Sequence, residues 1–247
     1  LHNLGHGGTG TNPLTFEITV SPDDSVQAGS EHIVNIEGHD GSSGPLLCEV
    51  QLRILVGQSH GATVSLSSST ISNVEPGGNG SVTVTASNQG NGPDSLKIST
   101  SAPPTGWGVS LPSSTVSVGS RHGTDRTESI ELVVTAPFYA LADDAIILSI
   151  SVGATSGGQP YDTMNLTITV KPVHNWDVGN LDVGDQTGRS SQDVHFPILL
   201  INDGNVEDTF RFIVASQTAQ PEWNTHFLFG ETPVIEVDVA AFSEATV

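Results

Sequence analysis

The amino-acid sequence predicts an all-β chain built from tandem β-sandwich units, and two observations support this prediction. The first is composition: the 247 residues include 27 glycines and 14 prolines, and only 14% are charged, a balance typical of short strands joined by turns. The second is an internal repeat, because N-Q-G-N-G-P-D-S at residues 88–95 returns as N-D-G-N-V-E-D-T at residues 202–209. Each copy lies between two runs of alternating apolar residues, the pattern of half-buried strands.

The repeated phrase has the chemistry of a turn between two strands. Gly90 and Gly204 occupy the same place in the two copies, and we expect them to supply positive φ at little steric cost. The neighbouring asparagine and aspartate side chains are expected to bond to nearby backbone N–H groups.

The repeat covers nearly the whole chain, with the offset of 114 residues that separates Asn88 from Asn202. For example, the strand pattern at residues 50–56 returns at residues 164–170. We therefore predict three segments: residues 1–57 as the second half of one unit, residues 58–172 as a complete unit, and residues 173–247 as the first two thirds of another.

Within the complete unit, apolar alternation predicts nine strands. They lie near residues 62–66, 70–74, 80–87, 94–101, 107–111, 115–118, 127–135, 144–152 and 162–171. A unit of about 115 residues with this strand spacing suits an immunoglobulin-like sandwich better than a propeller, whose blades have a shorter period. Trp107 is expected to be buried where the sandwich closes, and the short join after Pro172 predicts a semi-rigid row of units.

The balance of charges excludes a nucleic-acid partner. The chain has 7 basic and 27 acidic residues, a formal net charge of −20, and therefore no basic stripe to neutralise phosphate. An acidic surface suits saline or cation-rich surroundings; the alternative is that the charge only keeps the chain soluble. No stretch has the apolar length of a membrane span. The single cysteine, Cys48, shares strand parity with apolar residues and is expected to face a core.

Signals of catalysis are weak in this sequence. It contains no H-E-x-x-H, no G-x-x-x-x-G-K-[ST] and no C-x-x-C motif. The nine histidines are interpreted as lacking repeat symmetry, and His2 and His6 in the glycine-rich start as a solvated pair rather than metal ligands. We therefore predict that the chain is not an enzyme.

One cluster of oxygen-bearing side chains is a candidate calcium site, because calcium prefers carboxylate and amide oxygens. Its members are Asn202, Asp203, Asn205, Glu207 and Asp208. The alternative is that these residues only build the turn, since the first copy has Gln89 and Pro93 where the second has Asp203 and Glu207. No other cofactor is predicted.

Two sequons are candidate glycosylation sites. They are N-G-S at Asn79 and N-L-T at Asn165. Asn165 has the outward parity of its predicted strand, since Met164 and Leu166 point inward. A glycan on Asn165 would therefore leave the core undisturbed.

Three stretches resemble a known family of repeats. T-A-S-N-Q-G-N-G-P-D-S-L at residues 85–96, G-W-G-V-S-L at residues 106–111 and E-L-V-V-T-A-P at residues 131–137 are similar to the CARDB-like and alpha-galactosidase-associated immunoglobulin-like repeats of secreted archaeal and bacterial proteins. The resemblance implies cell-surface stalks, surface-layer or adhesive proteins, or spacers beside extracellular enzymes. Thr225, His226 and Phe227 depart from the pattern of Val109 to Leu111, and the family has no common catalytic residues.

Together these observations predict a non-catalytic extracellular or cell-surface protein, such as a surface-layer, stalk or filament component. The alternatives are an adhesion or carbohydrate-binding module and the spacer region of a secreted enzyme. The predicted partners are adjacent repeats of a longer chain, which would contain the missing halves covalently, or neighbouring copies, whose strands would supply the missing halves by exchange. Surface glycans are a further candidate partner.

Overall fold

The computed structural model describes residues 17–180, 186–214 and 224–247, and within these ranges it contains eighteen strands and no helix. The all-β prediction is therefore confirmed. Over the same ranges, no helix has the length and apolar character needed to cross a membrane. His2 and His6 lie outside the described residues.

The first sheet is an antiparallel hairpin of β1 (Glu31–His39) and β2 (Leu46–Leu55). Val34, Ile36, Leu52 and Ile54 are half-buried on this hairpin. Cys48 is exposed, so the prediction that it faces a core is wrong. The reason is that this sheet has only two strands. The side chains on the face that includes Cys48 therefore have too few neighbours to exclude water.

The next nine strands lie within residues 62–170, and they agree with the nine predicted from apolar alternation. They are β3 (Ala62–Leu66), β4 (Thr70–Val74), β5 (Asn79–Asn88), β6 (Asp94–Thr100), β7 (Gly108–Ser110), β8 (Thr115–Val118), β9 (Thr127–Thr135), β10 (Ala145–Ala154) and β11 (Asp162–Val170).

These nine strands form two sheets that pack face to face. One sheet has the order β3-β5-β9-β7, and the other has the order β4-β11-β10-β6-β8. All neighbouring pairs are antiparallel except β4 and β11, which run parallel. This is an immunoglobulin-like β-sandwich, and the predicted fold class is confirmed.

The sandwich core consists of the inward-facing residues of both sheets. On β10, for example, Ile146, Leu148, Ile150 and Val152 are buried while the residues between them are more exposed. Complete burial of such a side chain contributes about 1.5–3 kcal/mol of folding free energy. Trp107 packs against this core but is only half-buried, so the prediction of a buried tryptophan is wrong. It immediately precedes β7, an edge strand, and therefore covers the rim of the sandwich.

The remaining strands repeat part of this architecture. They are β12 (Trp176–Asn180), β13 (Ile198–Asn202), β14 (Asp208–Arg211), β15 (Phe227–Phe229), β16 (Thr232–Val234), β17 (Glu236–Val239) and β18 (Ser243–Thr246). β13 pairs with β12 and β18 as β5 pairs with β3 and β9, and β14 pairs with β17 as β6 pairs with β8. The core of this region contains buried Leu200, Val237 and Val239.

Candidate functional site

The first copy of the repeated phrase folds around the buried side chain of Asn88, which is 0% exposed. Its Oδ1 accepts a hydrogen bond from the Gly90 N–H at 2.7 Å. Its Nδ2 donates to the carbonyls of Gly92 and Gly119, both at 2.8 Å. Both amide hydrogens are therefore used, and one side chain joins the end of β5 to its own turn and to the loop after β8.

The second copy folds in the same way around Asn202, which is also 0% exposed. Its Oδ1 accepts from the Gly204 N–H at 2.9 Å. Its Nδ2 donates to the carbonyls of Val206 at 2.8 Å and Val239 at 2.9 Å. The equivalent bonds occur in both copies, so the predicted turn is a repeated structural unit.

The glycines of the phrase are required by close packing rather than by their backbone angles. Neither Gly90 nor Gly204 has positive φ, so that part of the turn prediction is wrong. A Cβ at Gly90 would lie 2.3 Å from the Ser59 carbonyl oxygen, and a Cβ at Gly204 would lie 2.5 Å from the Val173 carbonyl oxygen. Only glycine allows the preceding linker to approach the turn this closely.

A second asparagine binds that linker at the first junction between units. Asn91 Oδ1 accepts from the Ser59 N–H at 2.8 Å, and Asn91 Nδ2 donates to the Gly57 carbonyl at 3.0 Å. Beside them, the Gln89 N–H donates to the Gly61 carbonyl at 2.8 Å. The linker is therefore bound as an extra segment along the turn.

Asn205 makes the same contacts at the second junction. Its Oδ1 accepts from the Val173 N–H at 2.7 Å, and its Nδ2 donates to the Lys171 carbonyl at 2.9 Å. The Asp203 N–H donates to the Asn175 carbonyl at 2.8 Å. We name this arrangement the junction clamp: residues 88–91 on linker 57–61, and residues 202–205 on linker 171–175.

Each clamp also contacts the loop of the preceding unit. The Ala28 N–H donates to the Asn91 carbonyl at 3.0 Å, and the Ala142 N–H donates to the Asn205 carbonyl at 2.9 Å. One asparagine therefore joins three segments: the preceding unit, the linker and the following unit.

A histidine and aspartate pair completes each junction. His60 Nδ1 lies 2.7 Å from Asp94 Oδ2, and His174 Nδ1 lies 2.7 Å from Asp208 Oδ1. Both histidines belong to linkers and both aspartates follow the clamp, so the interpretation that the histidines lack repeat symmetry is wrong for this pair. The 114-residue offset between His60 and His174 was the signal that could have revealed it.

The segment G-Q-S-H-G at residues 57–61 matches the pattern of a hydrolase nucleophile elbow. That motif places its serine on a sharp turn between a strand and a helix. Here Ser59 lies in the irregular linker before β3, and its backbone N–H is bonded to Asn91. Ser59 therefore lacks the strand–turn–helix setting that the motif requires, and it belongs instead to the linker that the junction clamp binds.

The five candidate calcium ligands have different roles in the structure. Asn202 and Asn205 direct their oxygens to backbone N–H groups, and Asp208 pairs with His174. Asp203 and Glu207 are exposed. Among the described residues, no group of three or more His, Cys, Asp or Glu side chains is arranged to hold a metal. This geometry favours the interpretation that the residues build the turn.

We expect calcium at millimolar concentration to leave the melting temperature of the chain unchanged, because the amide oxygens are already occupied. Differential scanning calorimetry with calcium and with EDTA measures this directly. A ligand that binds only the native state raises stability with concentration. A calcium-dependent rise that disappears in Asp203→Asn with Glu207→Gln would contradict the expectation, and Glu131→Gln provides a matched carboxylate control on a distant strand.

The two sequon asparagines are exposed on different sheets. Asn79 Oδ1 accepts from Thr135 Oγ1 at 2.7 Å, and Asn165 Oδ1 accepts from Ser149 Oγ at 2.9 Å. Asn165 faces outward on β11 as its parity predicts, while Leu166 is buried. Glycosylation at these two residues stays a prediction.

An ion pair links the start of the second linker to the segment after β4. Lys171 Nζ lies 2.6 Å from Glu75 Oε1. This hydrogen bond, together with the positive charge of Lys171, lowers the pKa of Glu75. The pair therefore favours the ionised carboxylate in the folded protein.

We expect this pair to give a small, pH-dependent contribution to stability. Because the folded-state pKa of Glu75 is lowered, the contribution is present above the carboxyl's unfolded pKa and is lost as pH falls through the folded pKa. Thermal melts across this range should show wild type more stable than Glu75→Gln at neutral pH, with the difference vanishing in acid. A difference that persists in acid would assign the effect to something other than this ionisation.

Comparison with protein-family models finds no match, and comparison with curated proteins finds none either. Membership of the CARDB-like family therefore stays a prediction.

Solved structures offer similarities at low identity. A family 123 glycoside hydrolase from Clostridium perfringens is 12% identical with a TM-score of 0.33, over 44% of this chain and 27% of that chain. Domains 4 and 5 of the S-layer protein SbsC are 14% identical with a TM-score of 0.32, over 50% of this chain and 59% of that chain. Domains 1–6 of SbsC are 13% identical with a TM-score of 0.34, over 89% and 26%. At these values the similarity concerns only the β fold.

Proposed function

We propose that this chain is a non-catalytic structural component of an extracellular or cell-surface assembly, such as a surface layer, stalk or filament. The observation that supports the proposal is the junction clamp, whose bonds recur at two junctions 114 residues apart, as Asn91 and Asn205 illustrate. Recurring asparagine and backbone bonds at successive junctions favour a similar rotation from one unit to the next. Tandem sandwich units would then form a regular, semi-rigid row.

The proposal divides the chain at the two linkers. Residues 1–57 are the second half of one unit, residues 58–172 are a complete unit, and residues 173–247 are the first two thirds of another. The hairpin of β1 and β2 supports this division, because its strands lie 114 residues before β10 and β11. The partners of such a unit are adjacent repeats of the same chain or copies in another chain.

The charge distribution is compatible with the extracellular location that we propose. A net charge of −20 repels neighbouring chains except where specific contacts form. The resemblance to CARDB-like repeats points in the same direction. If the chain is exported through a glycosylating pathway, we expect glycans on Asn79 and Asn165.

Small-angle X-ray scattering of the 247-residue chain tests the proposed row. We expect an extended particle of defined shape for the wild type. Asn91→Ala combined with Asn205→Ala should broaden the distribution of interatomic distances, because both linkers lose their side-chain bonds. Asn165→Ala is the matched control, since it removes an exposed asparagine from a strand outside the junctions. Scattering that is unchanged in the double variant would overturn the role assigned to the clamp.

An adhesion or carbohydrate-binding role is the second candidate, and one observation favours it. Phe138 and Tyr139, in the loop after β9, are both 70% exposed with ring centroids 5.0 Å apart, and the Tyr139 ring also contacts Phe242. Exposed aromatic rings are suitable platforms for sugar rings or partner proteins. Binding of the chain to soluble polysaccharides, lost in Phe138→Ala and retained in Phe229→Ala, would support this candidate. Absence of binding across a polysaccharide panel would count against it.

A further inference from the structure

The two junctions present equivalent receiving positions. The Arg121 N–H donates to the Gly90 carbonyl at 2.9 Å, and the Phe242 N–H donates to the Gly204 carbonyl at 3.0 Å. Gly90 and Gly204 occupy the same place in the two copies of the repeated phrase. Arg121 and Phe242 therefore occupy the same position on the face that receives the preceding unit, although the loops that hold them differ in length.

The loops that dock on these faces are equivalent as well. We name them docking loops, residues 22–28 at the first junction and residues 137–142 at the second. Asp24 is the second residue after Pro22, and Tyr139 is the second residue after Pro137. Both loops end at an alanine whose N–H bonds to the clamp asparagine. Asp24 and Tyr139 therefore correspond when counted from the proline, and they differ by one position when counted back from the alanine, because the first docking loop has seven residues and the second has six.

The side chains that these loops present to the receiving faces differ in chemistry. At the first junction, Arg121 Nη2 donates to both the backbone carbonyl and the carboxylate of Asp24. At the second junction, the rings of Tyr139 and Phe242 meet edge to face, with centroids 5.3 Å apart and an interplanar angle of 89°. One junction is thus joined by an ionic pair and the other by an aromatic pair, on the same backbone frame.

We propose that the side-chain pair at each junction, Arg121 with Asp24 or Phe242 with Tyr139, decides which docking loop fits which receiving face. Each receiving face would then bind another unit of the same repeat whose docking loop has the matching chemistry. The inference rests on the proposed function and deepens it, because it names the partner surface and the residues that select the partner. The backbone bonds to Asn91 and Asn205 set the geometry of docking. The variable pair sets its specificity, as the charged positions flanking a coiled-coil seam select partner helices.

The chemistry of the pairs predicts an asymmetric pattern of mismatches. Phenylalanine in place of Arg121 would remove the donor to the carbonyl and the carboxylate of Asp24. The Asp24 side chain, which is 83% exposed, would then stay hydrated and have no ionic partner across the junction. Arginine in place of Phe242 would instead lie against the ring of Tyr139, where a cation–π contact replaces the aromatic one. We therefore expect Arg121→Phe to loosen the first junction and Phe242→Arg to leave the second junction ordered.

Spin-label distance measurements on the full chain test the rule. Exposed Cys48 and a cysteine introduced as Glu131→Cys report on the first junction. In a Cys48→Ser background, Glu131→Cys and Glu244→Cys report on the second. Exchange of the Ala28 and Ala142 amide hydrogens gives a second readout without labels. Unchanged protection of β10 amides shows that a variant still folds.

We expect narrow distance distributions for both junctions in the wild type, a broad first distribution in Arg121→Phe, and recovery of a narrow one when Asp24→Tyr is added. Salt of about 1 M, which shortens the Debye length to about 3 Å, should broaden the first distribution and not the second. Narrow wild-type distributions that stay narrow in Arg121→Phe would overturn the pairing rule alone. Broad wild-type distributions at low salt would instead overturn the proposed semi-rigid row.

Discussion

Asn88→Ala is expected to reduce the unfolding free energy of the central sandwich by about 2–4 kcal/mol. The substitution leaves the Gly90 N–H and the carbonyls of Gly92 and Gly119 without their side-chain partner. A buried polar group left unsatisfied costs about 1–3 kcal/mol, and partial entry of water into the turn reduces the sum for three such groups. Because Asn88 joins β5 to the loop after β8, both sheets of the sandwich are affected.

Hydrogen exchange resolved by peptide measures this effect separately for each sandwich, since opening free energies differ along the chain. We expect faster exchange in β5, β6 and β8, with β13 and β14 retaining wild-type protection. Gln89→Ala is the matched control, because Gln89 is the exposed neighbour in the same turn. A loss below about 1 kcal/mol for Asn88→Ala, the size of a single exposed hydrogen bond, would show that the amide is dispensable.

Gly90→Ala is the second substitution for which we expect a large effect, about 1–3 kcal/mol of destabilisation, the usual range for overpacking. The new Cβ would lie 2.3 Å from the Ser59 carbonyl oxygen. Because the Ser59 N–H is bound to Asn91 Oδ1, the backbone of Ser59 cannot move away without breaking the clamp. We therefore expect both a lower melting temperature and a loosened first junction.

Gly57→Ala is the matched control for this substitution. It changes a glycine of the same clamp, but a Cβ at Gly57 meets no atom within 4 Å. Calorimetry should therefore show a clear drop in melting temperature for Gly90→Ala and little change for Gly57→Ala. Equal drops would mean that backbone freedom rather than close packing explains the glycines. Gly204→Ala should repeat the result at the second junction, where the corresponding distance is 2.5 Å.

Local sequence patterns were sufficient to predict the strands and the repeat. Apolar alternation is a local property of the chain, and a strand that buries one face must show it; β10, with Leu148 and Ile150 inward, is a clear example. The 114-residue offset likewise required only comparison of the chain with itself. The same comparison singled out the repeated phrase that contains Asn202 and Asn205, whereas the calcium site assigned to it stays a prediction.

The roles of those residues depend on contacts between segments far apart in the chain. The role of Gly90 depends on the carbonyl of Ser59, and the role of Asn91 depends on Gly57 and Ala28, contacts that no local pattern contains. Cys48 has the strand parity of a core residue and is nevertheless exposed. Parity determines on which face of a strand a side chain lies, but the side chain is buried only where a second layer covers that face. The junctions are formed by segments far apart in the chain, and their chemistry therefore emerges only once the chain has folded.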